Sequence, residues 1–361
     1  VRRDGFFPPR AEVANRPNIR YRNNAEICTE RAVVLKATAK ENGPETHRTV
    51  LFVLGVNRSG TSALTRVLSL CGAALPTGLV GANAGNPRGY WEPFESHRVN
   101  YTILRRHGSE WFDPTMRLQE KGAFEPAERA AYITEIEAYL RTLPVAPVVV
   151  LKDLNITALS ELWFEAARLA GLNVAVVIAV RHPQEVAASL AALNRTSPEL
   201  ASALWLKGNL LAERTTRTMP RVFVDYSCLL ENWRREVKRI STALQLDLDS
   251  RDAEAIEGFL EPSLHRQRQR EGGGPVAEPF GTDWVSVVHQ AVSAAALDES
   301  WEQDSLDGVF EAYVAGERGF RIALQNFHRF HRLNRLLFRP SLVKLVVKVK
   351  AIAHRRKGPW A

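Results

Sequence analysis

Two short stretches carry residues whose types and spacing suit anion chemistry. The first is Gly55-Val56-Asn57-Arg58-Ser59-Gly60-Thr61-Ser62, set between the apolar run Val50 to Leu54 and the helically spaced Ala63 to Leu70. A strand, tight turn and helix in that order aim backbone N–H groups at one spot, where the helix dipole favours negative charge. Gly60 lets the backbone approach a ligand closely, while Thr61 and Ser62 add hydroxyl donors. The spacing matches the phosphate loop G-x-x-x-x-G-K-[ST] except that Thr61 holds the Lys position, and the loop's cation is Arg58 instead. Without the Lys that reaches β- and γ-phosphates, a nucleotide triphosphatase fits poorly. A ligand whose single 5′-phosphate bears a transferable group fits better.

The second stretch is Arg181-His182-Pro183, with Ser189 eight residues after Arg181. Pro183 suits the first turn of a helix, which places Arg181 at a strand's carboxyl end and Ser189 about two turns along. Ligands of open α/β sheets bind at that edge. An Arg and a Ser there can hold a second phosphate through charge-assisted hydrogen bonds. Lys152-Asp153 ends another strand candidate at the same edge.

These residues need a sheet to position them, and the apolar runs supply one. Val50 to Leu54, Val148 to Leu151, Val174 to Val180 and Val222 to Val224 read as buried parallel strands. Helical stretches such as Glu125 to Leu143 and Ala158 to Ala170 fall between them. The expected class is α/β: a phosphate-loop-like central parallel sheet flanked by helices, with a C-terminal helical basic extension. Residues 1–48 read as an N-terminal arm or linker, 49–271 as the catalytic domain, and 272–361 as linker and extension, with the breaker cluster Gly272, Gly273, Gly274 and Pro275 at the join.

The net charge of +8 is uneven: no Asp or Glu follows Glu317, while the last 44 residues hold twelve Lys and Arg. The remainder carries 36 basic against 40 acidic residues, so nucleic-acid binding by the body is not expected. In the tail, Arg329, Arg332, Arg335 and Arg339 alternate with Phe330, Leu333, Leu336, Leu337 and Phe338. That basic amphipathic pattern over 318–361 suits peripheral contact with an anionic membrane, and equally a solvated face or an acidic partner. Cys28, Cys71 and Cys228 are odd in number, with no metal-ligand spacing. No metal is expected. With no signal-like start and no apolar run of about eighteen residues, a cytoplasmic setting is expected, at most peripheral at the membrane's inner face.

The paired motifs, Arg58-Ser59-Gly60-Thr61-Ser62 and Arg181 with Ser189, resemble the sulfotransferases that use 3′-phosphoadenosine-5′-phosphosulfate (PAPS), across roughly residues 49 to 270. The likeness points to the bacterial branch acting on sugars or small metabolites. It implies that the first loop takes the 5′-phosphosulfate, with Arg58 steadying the departing group, and that Arg181 and Ser189 take the 3′-phosphate. PAPS is then the co-substrate and a hydroxyl on a glycan, glycolipid or small metabolite the acceptor. Such transfer needs a base for the acceptor's proton and cations over the developing charge. Asn86-Pro87-Arg88-Gly89-Tyr90-Trp91-Glu92-Pro93 is similar to the segment that supplies a catalytic Glu in carbohydrate-acting members, which makes Glu92 the expected base, with His97 and Glu95 as runners-up. Lys152 is expected either to stabilise the sulfonate or to form a strand-end ion pair. Leu154-Asn155 stands where similar members show Pro-Arg, and His265-Arg266 reads as a solvated face or a nucleotide contact. The alternatives are a phosphate-loop kinase and a non-catalytic nucleotide-binding protein.

Overall fold

The computed structural model describes residues 48–82, 85–249, 252–260 and 282–337. Its elements in chain order are β1 (Thr49–Gly55), α1 (Thr61–Leu70), α2 (Phe94–Arg106), α3 (Pro126–Arg141), β2 (Val148–Leu151), α4 (Ile156–Leu169), β3 (Asn173–Val180), α5 (Pro183–Asn194) and α6 (Pro198–Thr215). There follow β4 (Arg221–Asp225), α7 (Tyr226–Glu231), α8 (Trp233–Leu244), α9 (Ala253–Phe259), α10 (Trp284–Ala296) and α11 (Gln303–Leu337).

The four strands form one parallel sheet in the order β2-β1-β3-β4. Each strand candidate reads as an unbroken apolar run because the sheet is covered on both faces. Along β1 the residues alternate between two layers. Val50, Phe52 and Leu54 pack with Trp163 and Phe164 of α4 and Trp205 of α6, while Leu51 and Val53 pack with Leu64 and Leu68 of α1 and Val237 and Ile240 of α8. The chain leaves β1 for β2 on one side, then crosses to β3 on the other, so the strand order reverses at β1. The crevice at the carboxyl ends of β1 and β3 is where such sheets bind ligands.

The helices beyond the Gly-Pro cluster share this core. Val285, Val288, Ala291 and Val292 of α10 and Leu306, Val309 and Tyr313 of α11 belong to the same buried cluster as β1 and β3. A join at 271–272 lies outside the described residues, as do the arm over 1–47, the pair His265-Arg266 and the tail from 338. The basic tail does not begin at an element boundary, since α11 runs through Glu317 without a break. The Glu317 carboxylate accepts from Met116 N–H at 3.1 Å, and Arg321 pairs with Glu120 and Glu317. Phe320 and Ile322 are exposed on the same helix. Among the described residues no helix is long and apolar enough to cross a membrane. Cys71 is buried, which pushes its thiol up to about 11, and Cys228 is half-buried; both are free.

Candidate active site

The loop after β1 is shaped by two residues in the left-handed region, Arg58 (φ 73°) and Gly60 (φ 85°). Only glycine fits the second position, because a Cβ there would lie 2.2 Å from the Tyr226 ring. Gly60 is the N-cap of α1 and no side chain caps that helix, so its first-turn N–H groups are left for a ligand. On the far side of the sheet edge, Pro183 opens α5 and the His182 ring caps it, accepting from Gln184 N–H at 3.3 Å. Arg181 therefore ends β3, and Ser189 lies two turns into α5.

These two pieces meet. Arg58 Nε donates to Ser189 Oγ at 2.9 Å, and Arg181 donates to the Arg58 carbonyl at 3.1 Å. Arg181 is otherwise held by Glu185 at 2.8 Å and lies 4.6 Å over the Tyr226 ring. Arg58 thus turns its Nε toward the Arg181–Ser189 side of the crevice, whereas the family resemblance implies a contact with the phosphosulfate.

A cavity of about 350 Å³ opens above this junction. It is lined by Arg58, Gly60, Thr61 and Ser62 from the loop, by Arg181 and Ser189 from the second motif, and by Glu92 and Lys152. Among the described residues its charged lining is Arg58, Arg88, Lys152 and Arg181 against the single carboxylate of Glu92, a balance that attracts anions. Ser59 is the exception among the expected binders. It is buried beneath the loop, and its N–H is spent on the Val56 carbonyl at 3.1 Å.

The segment carrying Glu92 folds over the loop. Asn86 Nδ2 donates to Ser62 Oγ at 3.3 Å and to the Gly89 carbonyl at 2.7 Å, and Ser62 Oγ donates to the Tyr90 carbonyl at 3.3 Å. Trp91 adopts φ 58°, a strained conformation that costs about 1–2 kcal/mol for a residue with a Cβ. It is held by Arg66, 4.5 Å over its ring, and by Phe259 edge-on at 6.4 Å. Arg88 bonds the carbonyls of Gly258 and Phe259 at 2.9 and 2.6 Å, which ties this segment to α9.

Glu92 and Lys152 form a hydrogen-bonded ion pair, each with a side chain only 4% exposed. Lys152 Nζ also reaches Ser62 Oγ and the Tyr90 carbonyl, both at 3.4 Å. Its partner is Glu92, 60 residues away in sequence, rather than the adjacent Asp153. Asp153 lies behind the pair, accepting from Asn155 N–H at 2.8 Å and Ser96 Oγ at 3.2 Å. Full burial, with the nearby Glu92 carboxylate, holds the Asp153 carboxyl above the usual range. One polar side-chain atom from each of Glu92, Asp153 and His97 lies within 4.8 Å of the other two.

His97 does not line the cavity; its Nδ1 lies 3.8 Å from Asp153 Oδ2 and its ring stacks on Tyr101 at 6.3 Å. Glu95 points elsewhere, into an exposed ion pair with Arg98 that holds its carboxyl below the usual range. Residues of the cavity wall to which sequence reasoning gave no role are Asn57, Arg88, Leu193, Tyr226 and Phe259. Tyr226 was within reach, because it follows β4 directly at the edge where ligands bind.

No family model matches the chain, and no curated protein matches it. Among solved structures it is similar to the sulfotransferase domain of the Synechococcus PCC 7002 olefin synthase, at 17% identity and TM-score 0.37 over 76% of this chain and 98% of that one. The sulfotransferase domain of the curacin biosynthetic pathway gives 14% identity and TM-score 0.36 over 71% and 99%. A sulfotransferase from Mycobacterium tuberculosis H37Rv gives 15% identity and TM-score 0.30 over 65% and 75%.

Proposed function

We propose that the chain transfers a sulfuryl group from PAPS to a hydroxyl acceptor, and that the acceptor is sugar-bearing or a small metabolite. The observation that carries this reading is the 2.9 Å bond between Arg58 and Ser189, which joins two anion-binding elements on one cavity that also holds a buried carboxylate and ammonium. A donor with one anionic group at each end of a ribose suits such a cavity. The 5′-phosphosulfate goes to the N-terminus of α1 with Thr61, Ser62 and Lys152, and the 3′-phosphate to Arg58, Arg181 and Ser189. Leu193 and Phe259 supply apolar surface for the base.

The acceptor oxygen forms its bond to sulfur as the bond from sulfur to the 5′-phosphate oxygen breaks, and the acceptor's proton passes to Glu92. The Glu92–Lys152 pair gives this step a further consequence. Protonating Glu92 cancels the charge that faces Lys152, so the ammonium is released to the departing phosphate as its charge grows. Base and electrophilic stabiliser are thus coupled through one contact.

Ligand-dependent melting tests the assignment against a kinase. The product 3′,5′-ADP, at a hundred times its dissociation constant, should stabilise the protein by about 2.7 kcal/mol, and ATP with Mg²⁺ should do little. Stabilisation by Mg²⁺-ATP alone would replace this reading with phosphoryl transfer.

A further inference from the structure

Each turnover of the proposed reaction leaves a proton on Glu92, and that proton has to leave before the next. Glu92 is 3% exposed and lines the cavity that the products occupy. We infer that Asp153 and His97 are its exit to solvent, an inference that rests on the function proposed above.

The three groups cluster between the cavity wall, where Glu92 stands, and the surface, where His97 is half-exposed. Their nearest polar atoms lie within 4.8 Å of one another, Asp153 is 1% exposed, and the His97 side chain is 44% exposed. His97 Nδ1 is itself buried and has no hydrogen-bond partner, although it sits 3.8 Å from Asp153 Oδ2. A ring movement of roughly 1 Å brings that pair to hydrogen-bond distance. Asp153 is fixed by Ser96 and by the Asn155 N–H, so the movement falls to the imidazole. The proton passes from the Glu92 carboxyl to Asp153 over one bridging water across a gap of at most 4.8 Å, from Asp153 to Nδ1, and from the other ring nitrogen to water; tautomeric exchange with solvent then frees Nδ1 for the next turnover. Glu92 returns to its carboxylate form and re-forms the pair with Lys152. A raised Asp153 carboxyl suits a group that carries a proton in transit. Asp153 and His97 act through Glu92 and touch no reacting atom, so their effect belongs to recycling and not to the transfer step.

That distinction is measurable. With enzyme in excess over PAPS and the acceptor found by labelled transfer, His97→Ala should give the unaltered protein's single-turnover rate within about twofold. Its steady-state rate should fall roughly 10- to 100-fold, and added imidazole should restore it. Asp153→Asn should slow steady state in the same way without imidazole rescue, and unchanged 3′,5′-ADP binding shows that both variants fold. Equal loss of single-turnover rate in His97→Ala would place His97 in the chemical step and overturn the inference. So would a His97→Ala enzyme unaffected in both regimes, or a slowed one that imidazole does not restore. Absence of any transfer by the unaltered protein would remove the functional reading and this inference with it, whereas normal transfer with an indifferent His97 removes the inference alone.

Discussion

Glu92→Gln is expected to lower kcat by roughly 10²- to 10⁴-fold, because the amide keeps the shape of the carboxyl but cannot take the acceptor's proton. The ion pair with Lys152 adds a second expected result. In the variant, Lys152 stays buried with its charge no longer matched by a carboxylate, so 3′,5′-ADP should bind as well as before or more tightly. The same unmatched charge destabilises the fold, since removing one partner of a buried pair costs about 3–5 kcal/mol. The double change Glu92→Gln with Lys152→Met removes both charges and separates the two effects: it should recover stability while remaining inactive. Steady-state kinetics, calorimetry with 3′,5′-ADP and a melting curve check all three. A Glu92→Gln enzyme with near-normal turnover, alongside a Glu95→Gln enzyme without it, would move the base to Glu95.

Ser189→Ala should weaken 3′,5′-ADP far more than adenosine 5′-phosphosulfate, which has no 3′-phosphate. A charge-assisted hydrogen bond contributes roughly 1.5–3 kcal/mol, which is about 10- to 150-fold in affinity. Because Arg58 Nε donates to Ser189 Oγ, the hydroxyl also orients the guanidinium, and the loss should lie toward the upper end of that range. Arg181→Ala should show the same selectivity. It also strands Glu185, which is 5% exposed, so it is best made together with Glu185→Ala to keep the site folded. Equal losses for both ligands in calorimetry would remove the 3′-phosphate assignment.

Much of the scaffold was legible because burial writes itself into local sequence. Val148 to Leu151 stands as a strand with the limits its apolar run gives, and the other three strands extend their runs by one residue at one or both ends. The backbone geometry of both motifs was legible for a related reason: Gly60 and Pro183 declare local conformation wherever they occur. What joins distant segments was not. Glu92 and Lys152 are 60 residues apart; sequence pairs Lys152 at most with the adjacent Asp153, and neither spacing nor residue type announces Glu92 as its partner. The Arg58 side chain likewise takes its direction from Ser189, 131 residues on. The apolar stripe Val285, Val288, Ala291 and Val292 shows that α10 buries one face, but not that this face joins the cluster of β1 and β3.

The measurement that bears most directly on the whole account is transfer of label from PAPS carrying ³⁵S in its sulfonate group, with cell extract as the source of acceptor. The account predicts a labelled, hydroxyl-sulfated product formed one for one with 3′,5′-ADP, and its loss in both Glu92→Gln and Ser189→Ala proteins. No transfer of sulfur label, together with transfer of phosphorus label from [γ-³²P]ATP by the same protein, would contradict it.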